Sequence, residues 1–486
     1  MLGELRQLRS DRLAGRLTGD AAADDDVDRR LQRRIAAFEQ LVVQLAGAKI
    51  VLDVAPGTFA IPGEEFRVGV RILVAEAIPV SVRAEGLGEV GVQLQTADDS
   101  PPRLDAGGTL QLDVAVRMPL SADATDDPMG PCFRGDRFVP PVRLRFWLDL
   151  AGAEIPLDVT VPVEERAPLE LAVVPRSLLL PRSRRELQFT VDVVRNTRFP
   201  VEGMLEVRAR AGYAIQQDRR PVVLRDHRGD RFRFQVRAAD NQRSGVDVLR
   251  IALAGTRVTL PIHKVDVEVP PDLRVGVLRS RDNTLPGILG VAGLGLSWSE
   301  LSDADIAAGE LSRFDTIVVD VRALRDRPGA RRGFRSLLEF AEAGGRLVVF
   351  YHKDIEFHPA GEAFLGAPFA PFRIGKARVT RADAPVTVLR PDHVLLNHPN
   401  TIRPSDWDGW GQERALYLPR LYSADFEELL EMHDPGQPEE RGALLYARTG
   451  EGEYVYCSLA LWRQLKKLHP GAVRLLANLL TPARQH

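Results

Sequence analysis

Cysteine is nearly absent: only Cys132 and Cys457 occur in 486 residues, which excludes a disulfide framework and a zinc site built from thiolates. Lysine is also scarce, confined to positions 49, 264, 353, 376, 466 and 467. Arginine supplies nearly all of the 65 basic residues, and 67 acidic ones are interspersed with them, leaving a net charge of −2. Such a balance creates no global field that would draw in nucleic acid or an acidic membrane. No apolar run approaches the ~18 residues of a membrane span. The opening stretch MLGELRQLRSDRLAGRL carries a charge every few residues, so it is not a signal peptide, and the compartment stays open: cytoplasmic for a chain standing alone, exported for one that is part of a longer or partnered protein. What remains is 44% hydrophobic and 27% charged, the balance of a globular chain, with length for about three domains.

The hydrophobic period divides the chain into four parts. Residues 1–48 read as a helical hairpin: Leu31, Ile35, Phe38, Leu41 and Leu45 form a stripe at spacings of three and four, Thr18-Gly19-Asp20 breaks the run, and Asp24, Asp25 and Asp26 precede the second helix. A hairpin this small must bury its stripe against the next domain or a partner. From 49 to 164 the period is two. Phe66, Val68, Val70 and Ile72 alternate with polar residues, as do Leu110 to Met118 and Val142 to Leu148, and the Pro-Gly pairs at 56–57 and 62–63 mark turns. This predicts an antiparallel β-sandwich, with a long loop at Ser121–Pro141. A second sandwich is predicted over 165–268, with strands at Leu187–Val193, Phe232–Val236 and one carrying Val246, Val248 and Ile251.

After Pro270-Pro271 the strands become continuously apolar: Leu273–Leu278, Thr316–Val321 and Arg346–Phe350, with an amphipathic helix at Arg331–Ala343 closed by Gly344-Gly345. Apolar strands alternating with helices predict a parallel sheet covered on both faces over 269–486, with its own core and able to fold alone. Ligands of such sheets bind beyond the carboxyl ends of the strands, here just after Leu278, Val321 and Phe350.

Familiar catalytic motifs are missing. No GxxxxGK[ST] phosphate loop or GxSxG elbow occurs, the glycines of 287–295 read as turns, and Cys457 reads as a buried small hydrophobe in a strand. Two segments could carry chemistry. His352, Asp354, Glu356 and His358 recur at period two, so an extended segment would bring them to one face as ligands for a divalent metal, and a turn would destroy that alignment. The stretch LNHPNTIRPSDWDGWGQERALY at 396–417 sets Trp407 and Trp410 among His398, Asp406, Gln412, Glu413, Arg414 and Tyr417. Aromatics beside polar hydrogen-bonders suit saccharide recognition and interfaces alike. We expect these side chains to converge on one pocket floored by Tyr351 and His352. The alternative is a clamp, with both tryptophans buried.

These residues also carry a resemblance. HPNTIRPSDWDGWGQERALYL at 398–418, the Asp434-Pro435-Gly436 turn, YVYCSLALWRQL at 454–465 and PGAVRLLANLL at 470–480 are similar to the C-terminal region of large PIG-L (LmbE-like) deacetylases. LRVGVLR at 273–279, LSRFDTIVVDVRALRDRP at 311–328 and GGRLVVF at 344–350 extend it. The resemblance implies a ThuA-like, class I glutamine amidotransferase-like (flavodoxin-like) domain over 269–486, placed after β-sandwich modules. The family's zinc motif, a His-Pro-Asp-Asp-type cluster, is nowhere in this sequence, and Tyr351-His352-Lys353 stands where an amidotransferase nucleophile would be. The expected role is therefore a non-catalytic one, needing no cofactor: an accessory chain that recognises a glycan or a partner zinc deacetylase. A hydrolase of sugar derivatives using His398, Asp406 and Glu413, and a plain scaffold, are the alternatives.

Overall fold

The computed structural model describes residues 2–13, 21–76, 78–87, 90–95, 102–104, 107–119, 142–150, 152–239, 244–291, 293–358 and 366–483. The expected loop at Ser121–Pro141, with Cys132, and the break at Thr18-Gly19-Asp20 lie outside them. By its contacts the chain forms two units: Met1–Glu170 with Val194–Val201 and Val223–Gly229, and Leu171–Val193, Glu202–Val222 and Asp230–His486.

In the first unit two helices, Leu2–Leu13 and Ala21–Ala46, are joined by Arg6–Glu39 (2.7 Å) and Arg9–Asp28 (3.0 Å) ion pairs. The second begins early enough to take in Asp24, Asp25 and Asp26 instead of following them. Its packed stripe is also rotated from the expected one. Ile35, Val42, Val43 and Ala46 face inward, the last three against the first sandwich, while Leu41 and Leu45 are exposed. That sandwich has two four-stranded antiparallel sheets. One runs Lys49–Asp53, Glu65–Val74, Gly108–Arg117, Gly91–Gln95; the other runs Arg103–Leu104, Val80–Gly86, Arg143–Leu150, Ala153–Thr160. Val68 opposite Val114 and Val70 opposite Leu112 fill the space between, together with Leu144, Phe146 and Leu148.

The second sandwich pairs a four-stranded with a five-stranded sheet between Leu169 and Val265. Phe189 stacks on Phe234 at 5.4 Å in its core. One strand differs from expectation. In Gly245–Leu253 the inward residues are Leu249, Ile251 and Leu253, and Val246 and Val248 are exposed, because a period of two cannot carry Val248 and Ile251 on one face.

The remainder builds a seven-stranded sheet in the order Ser297–Glu300, Arg274–Leu278, Thr316–Val319, Arg346–Phe350, Gly452–Cys457, Leu444–Thr449, Glu427–Glu428. The first five strands are parallel, and the last two pairings are antiparallel. Alternate residues of each strand feed two separate cores. Val277, Val318, Val348 and Val455 meet the helix Pro470–Leu480 on one face, and Ile317, Val349 and Tyr456 meet Phe334–Glu342 on the other. Gly344 closes the latter helix at φ +106°, a region side chains avoid, and Gly345 lies against the Phe340 ring where a Cβ would collide. Between Phe350 and Leu444 the chain makes three small antiparallel pairs, joining 372–388 to 415–432, so that the stretch 389–414 is carried on a compact stem.

The strand pattern changes at Pro270-Pro271 as expected, but the two sides share one core. Leu179, Val265, Val267 and Val269 pack with Val275 and Leu475, and the Asp266 carbonyl accepts from Arg474. We therefore expect a fragment of residues 270–486 to bind a hydrophobic dye and melt below a fragment of 166–486, measured by dye fluorescence and calorimetry. Glu453→Gln, which leaves the fully buried Arg346 without its counter-charge, should cost roughly 3–5 kcal/mol in urea unfolding.

Candidate functional site

Three parallel strands end side by side at Leu278, Val319 and Phe350, and the residues that follow build the site. After Phe350 comes Tyr351, buried and stacked on Tyr417 (5.8 Å between centroids, 6° between planes), with Trp462 tilted on it at 4.8 Å. After Val319 the chain turns sharply: Arg322 sits at φ +55° and its N–H donates to the Tyr351 carbonyl at 3.0 Å. Tyr417 is also left-handed, at φ +52°. Two bulky non-glycine residues in this region, from segments 95 positions apart, mark a place where the surrounding packing imposes local strain.

Charge surrounds the rings. Arg322 Nε donates to both oxygens of the buried Glu356 (2.9 and 3.2 Å), whose Oε2 also accepts from the Lys353 N–H at 3.0 Å. Burial pushes the Glu356 carboxyl up, but Arg322 more than offsets it and holds it below its ordinary range. Arg378 Nη2 donates to the Tyr417 hydroxyl at 2.9 Å, and Lys353 Nζ lies 5.3 Å from that ring's centroid. Burial raises the Tyr417 phenol, yet these two cations leave it below the usual value. Glu413 pairs with Arg463 at 3.4 Å, beside Trp462.

A second group lies between the strands ending at Leu278 and Val319, where the strand order reverses. Asp320 is buried there. Its Oδ2 accepts the Ser280 hydroxyl at 2.7 Å, and its Oδ1 accepts the Val321 N–H at 2.8 Å. Burial, with Asp282 nearby, outweighs these bonds and pushes the carboxyl up to about 6. His352 is fully buried: its Nδ1–H donates to the Phe350 carbonyl (2.7 Å) and its Nε2 accepts the Leu324 N–H (3.2 Å), a neutral tautomer whose pKa burial pushes down to about 4.

The structure divides the residues singled out in sequence instead of gathering them into one pocket. Asp406, Trp407, Trp410 and Arg414 form a clamp: both tryptophans are buried with rings 5.3 Å apart, Trp410 Nε1 donates to the Asp406 carbonyl (2.9 Å), and Arg414 donates to the carbonyls of Trp407 (2.5 Å) and Ala384 (3.1 Å). Asp406 is ion-paired with Arg474. His398 and Gln412 are exposed. Of the expected set only Tyr351, Tyr417 and, through Arg463, Glu413 belong to the aromatic cluster, while His352 is a core residue behind it. The alignment of His352, Asp354, Glu356 and His358 is broken because Asp354–Phe357 is a helical turn, with Glu356 bound to Arg322. Among the described residues no three His, Cys, Asp or Glu side chains gather as a metal site. Cys457 is buried, its thiol pushed up to about 12.

Sequence reading missed Ser280, Asp320, Arg322, Lys353, Arg378 and Trp462. A polar residue within two positions of an apolar strand's end was a usable signal for Ser280 and Asp320; the partners of Arg322 and Arg378 come from distant segments and left none.

No family model matches the chain, and no curated protein does. Among solved structures it is similar to domains 4 and 5 of the S-layer protein SbsC (12% identity, 26% of this chain and 65% of that one, TM-score 0.15). It is also similar to a β-galactosidase from Rahnella sp. R3 (13%, 44% and 31%, TM-score 0.28) and to an exo-β-1,4-mannosidase from Opitutaceae bacterium strain TAV5 (13%, 44% and 37%, TM-score 0.25). The chain spans less than two thirds of each of these structures, and likenesses at such TM-scores bear on neither fold nor function.

The two perturbed groups act oppositely on stability. Folded Asp320 keeps its proton to about 6 against an ordinary 3.8, so stability falls as pH rises between those values. His352 titrates near 4 folded and 6.5 unfolded, so its contribution rises with pH over that interval. Between about pH 4 and 6 the slopes offset each other. Asp320→Asn should be more stable than the parent above pH 7, by up to about 3 kcal/mol at 1.4 kcal/mol per unit. It should also lose stability more steeply than the parent as pH drops from 6.5 to 4. Thermal melts across pH 4–8 check both.

Proposed function

We propose that this chain is a non-catalytic binding protein whose C-terminal region recognises a glycan at the Tyr351–Tyr417–Trp462 cluster and works beside a PIG-L-type zinc deacetylase. The observation that carries the binding reading is the stack itself. Three aromatic rings from three separate segments meet at the carboxyl ends of parallel strands, the outer two half-buried, with charged side chains on either side. Apolar ring faces beside fixed hydrogen-bonding groups suit a sugar, whose C–H face packs on the ring while its hydroxyls meet the polar rim. The strand order of the parallel part, 2-1-3-4-5 in sequence order, supports a flavodoxin-like and hence amidotransferase-like assignment, in which ligands sit at these strand ends. That assignment is an analogy of fold, and the function rests on the site. The motifs at 398–418, 454–465 and 470–480 support the deacetylase partnership.

Titration of the full chain with a panel of oligosaccharides, followed by tryptophan fluorescence and calorimetry, tests the reading. Trp462→Ala should weaken glycan binding at least tenfold, about 1.4 kcal/mol, with a smaller loss of stability than Trp410→Ala because Trp462 is only half-buried. Trp410→Ala, in the buried clamp, should instead destabilise the fold by roughly 3–5 kcal/mol. A panel from which nothing binds removes the glycan reading. Failure of a PIG-L-type deacetylase to co-purify removes the partnership.

A further inference from the structure

The charge on the stem beside Tyr417 is one-sided. The paired segments FRIGKARV (372–379) and ALYLPRLY (415–422) carry Arg373, Lys376, Arg378 and Arg420, all exposed, and no carboxylate at all. Several arginines elsewhere in this unit are neutralised, Arg274 by Asp315, Arg281 by Asp326, Arg381 by Asp383 and Arg441 by Glu431, while others, such as Arg184 and Arg414, donate to backbone carbonyls. Among the described residues no carboxylate stands at ion-pair distance from any of the four stem cations, nor from Lys353. In a chain of net charge −2, four exposed cations on two short paired segments, with Lys353 beside Tyr417, make a local excess of positive charge, and the nearby Asp354 carboxylate accepts from the Ile374 N–H. Two of the cations hold that tyrosine directly, Arg378 through its hydroxyl and with its guanidinium carbon 4.9 Å from the ring centroid, and Lys353 from 5.3 Å.

We infer that the ligand of this site is an acidic glycan, whose carboxylate or sulfate groups lie along the stem while its sugar rings pack beside the Tyr351–Tyr417–Trp462 cluster. The inference builds on the binding reading above and adds the charge of the ligand. Like charges held together without counter-ions repel one another, and an anion that bridges them removes that repulsion while gaining charge-assisted hydrogen bonds. A glycan fits better than nucleic acid because four of the cations sit on two short paired segments next to an aromatic stack, too short to track a nucleic-acid backbone.

The test uses the full chain with four probes: a galacturonic acid tetramer, its methyl ester, inorganic phosphate, and a 20-base-pair DNA duplex. We expect the free acid to bind at least tenfold more tightly than the ester at low salt, the preference shrinking severalfold in 0.5 M NaCl as screening predicts. Lys376→Gln with Arg378→Gln should abolish the preference, and Arg381→Gln, whose arginine is paired with Asp383, should preserve it. Acid and ester binding equally, both lost in Trp462→Ala, would overturn the acidic ligand and leave the glycan site standing. Neither binding would overturn both. Phosphate binding as tightly as the tetramer, or DNA binding more tightly, would overturn the glycan as the source of the charge.

Discussion

Arg346 is the residue on which the C-terminal architecture turns. It opens the central parallel strand with its side chain fully buried, and its guanidinium binds two elements directly and a third through Glu453. Nε donates to Glu453 on the neighbouring strand (2.6 Å), whose other oxygen accepts the Tyr446 hydroxyl (2.9 Å) from the strand beyond. Nη1 donates to the Asn478 carbonyl (2.8 Å) and to that of Thr481, at the end of the last helix, where carbonyls have no intrahelical partner. A buried charge tolerates few arrangements, since any displacement leaves it or its partner unpaired at a cost of several kcal/mol. The pair thus sets the relative position of adjacent strands and of the helix over them, and with it the level at which Phe350 ends and Tyr351 begins.

The polar richness of 396–417 has the same explanation. The last two helices present Gln464, Arg474 and Asn478 from buried faces, and each grips that segment. Gln464 exchanges two hydrogen bonds with the backbone of Gly411 (2.8 Å each). Asn478 donates to the carbonyls of Leu395 and Asn400 (3.0 and 2.6 Å), and Asn400 in turn brackets the backbone of Glu268. Arg474 takes Asp406. Polar groups here are numerous because an irregular segment buried against a core must satisfy its backbone somewhere. Arg414 ties the clamp to the stem through the Ala384 and Val379 carbonyls, three residues before Tyr417, which is stacked on Tyr351 in a left-handed conformation.

Much of the architecture was legible in advance. The alternations at Phe66–Ile72 and Val142–Leu148 mark sheets with one buried face, and the unbroken apolar runs at Val275–Leu278 and Thr316–Val319 mark strands buried on both. Both patterns are local: a side chain's face follows from its neighbours two positions away. Even so, periodicity leaves phase open. The helix Ala21–Ala46 turned Leu41 and Leu45 outward because the sandwich met a neighbouring stripe, and Val246 and Val248 lie on the outer face because the core took the odd-numbered residues of that strand.

By itself, then, the sequence determined the succession of helices, antiparallel sandwiches and parallel strands, and where those strands end. Tertiary structure alone decided which side chains stand there. Trp407 and Trp410 are as suited in composition to a ligand as Tyr417 and Trp462; what separates them is whether helix Pro470–Leu480 or open solvent lies opposite. Arg322 and Arg378 look like any other arginine until one finds Glu356 34 positions away and the other finds a tyrosine in place of a carboxylate. Burial and ion pairing depend on what a residue meets across the fold, and that is settled only when distant segments come together.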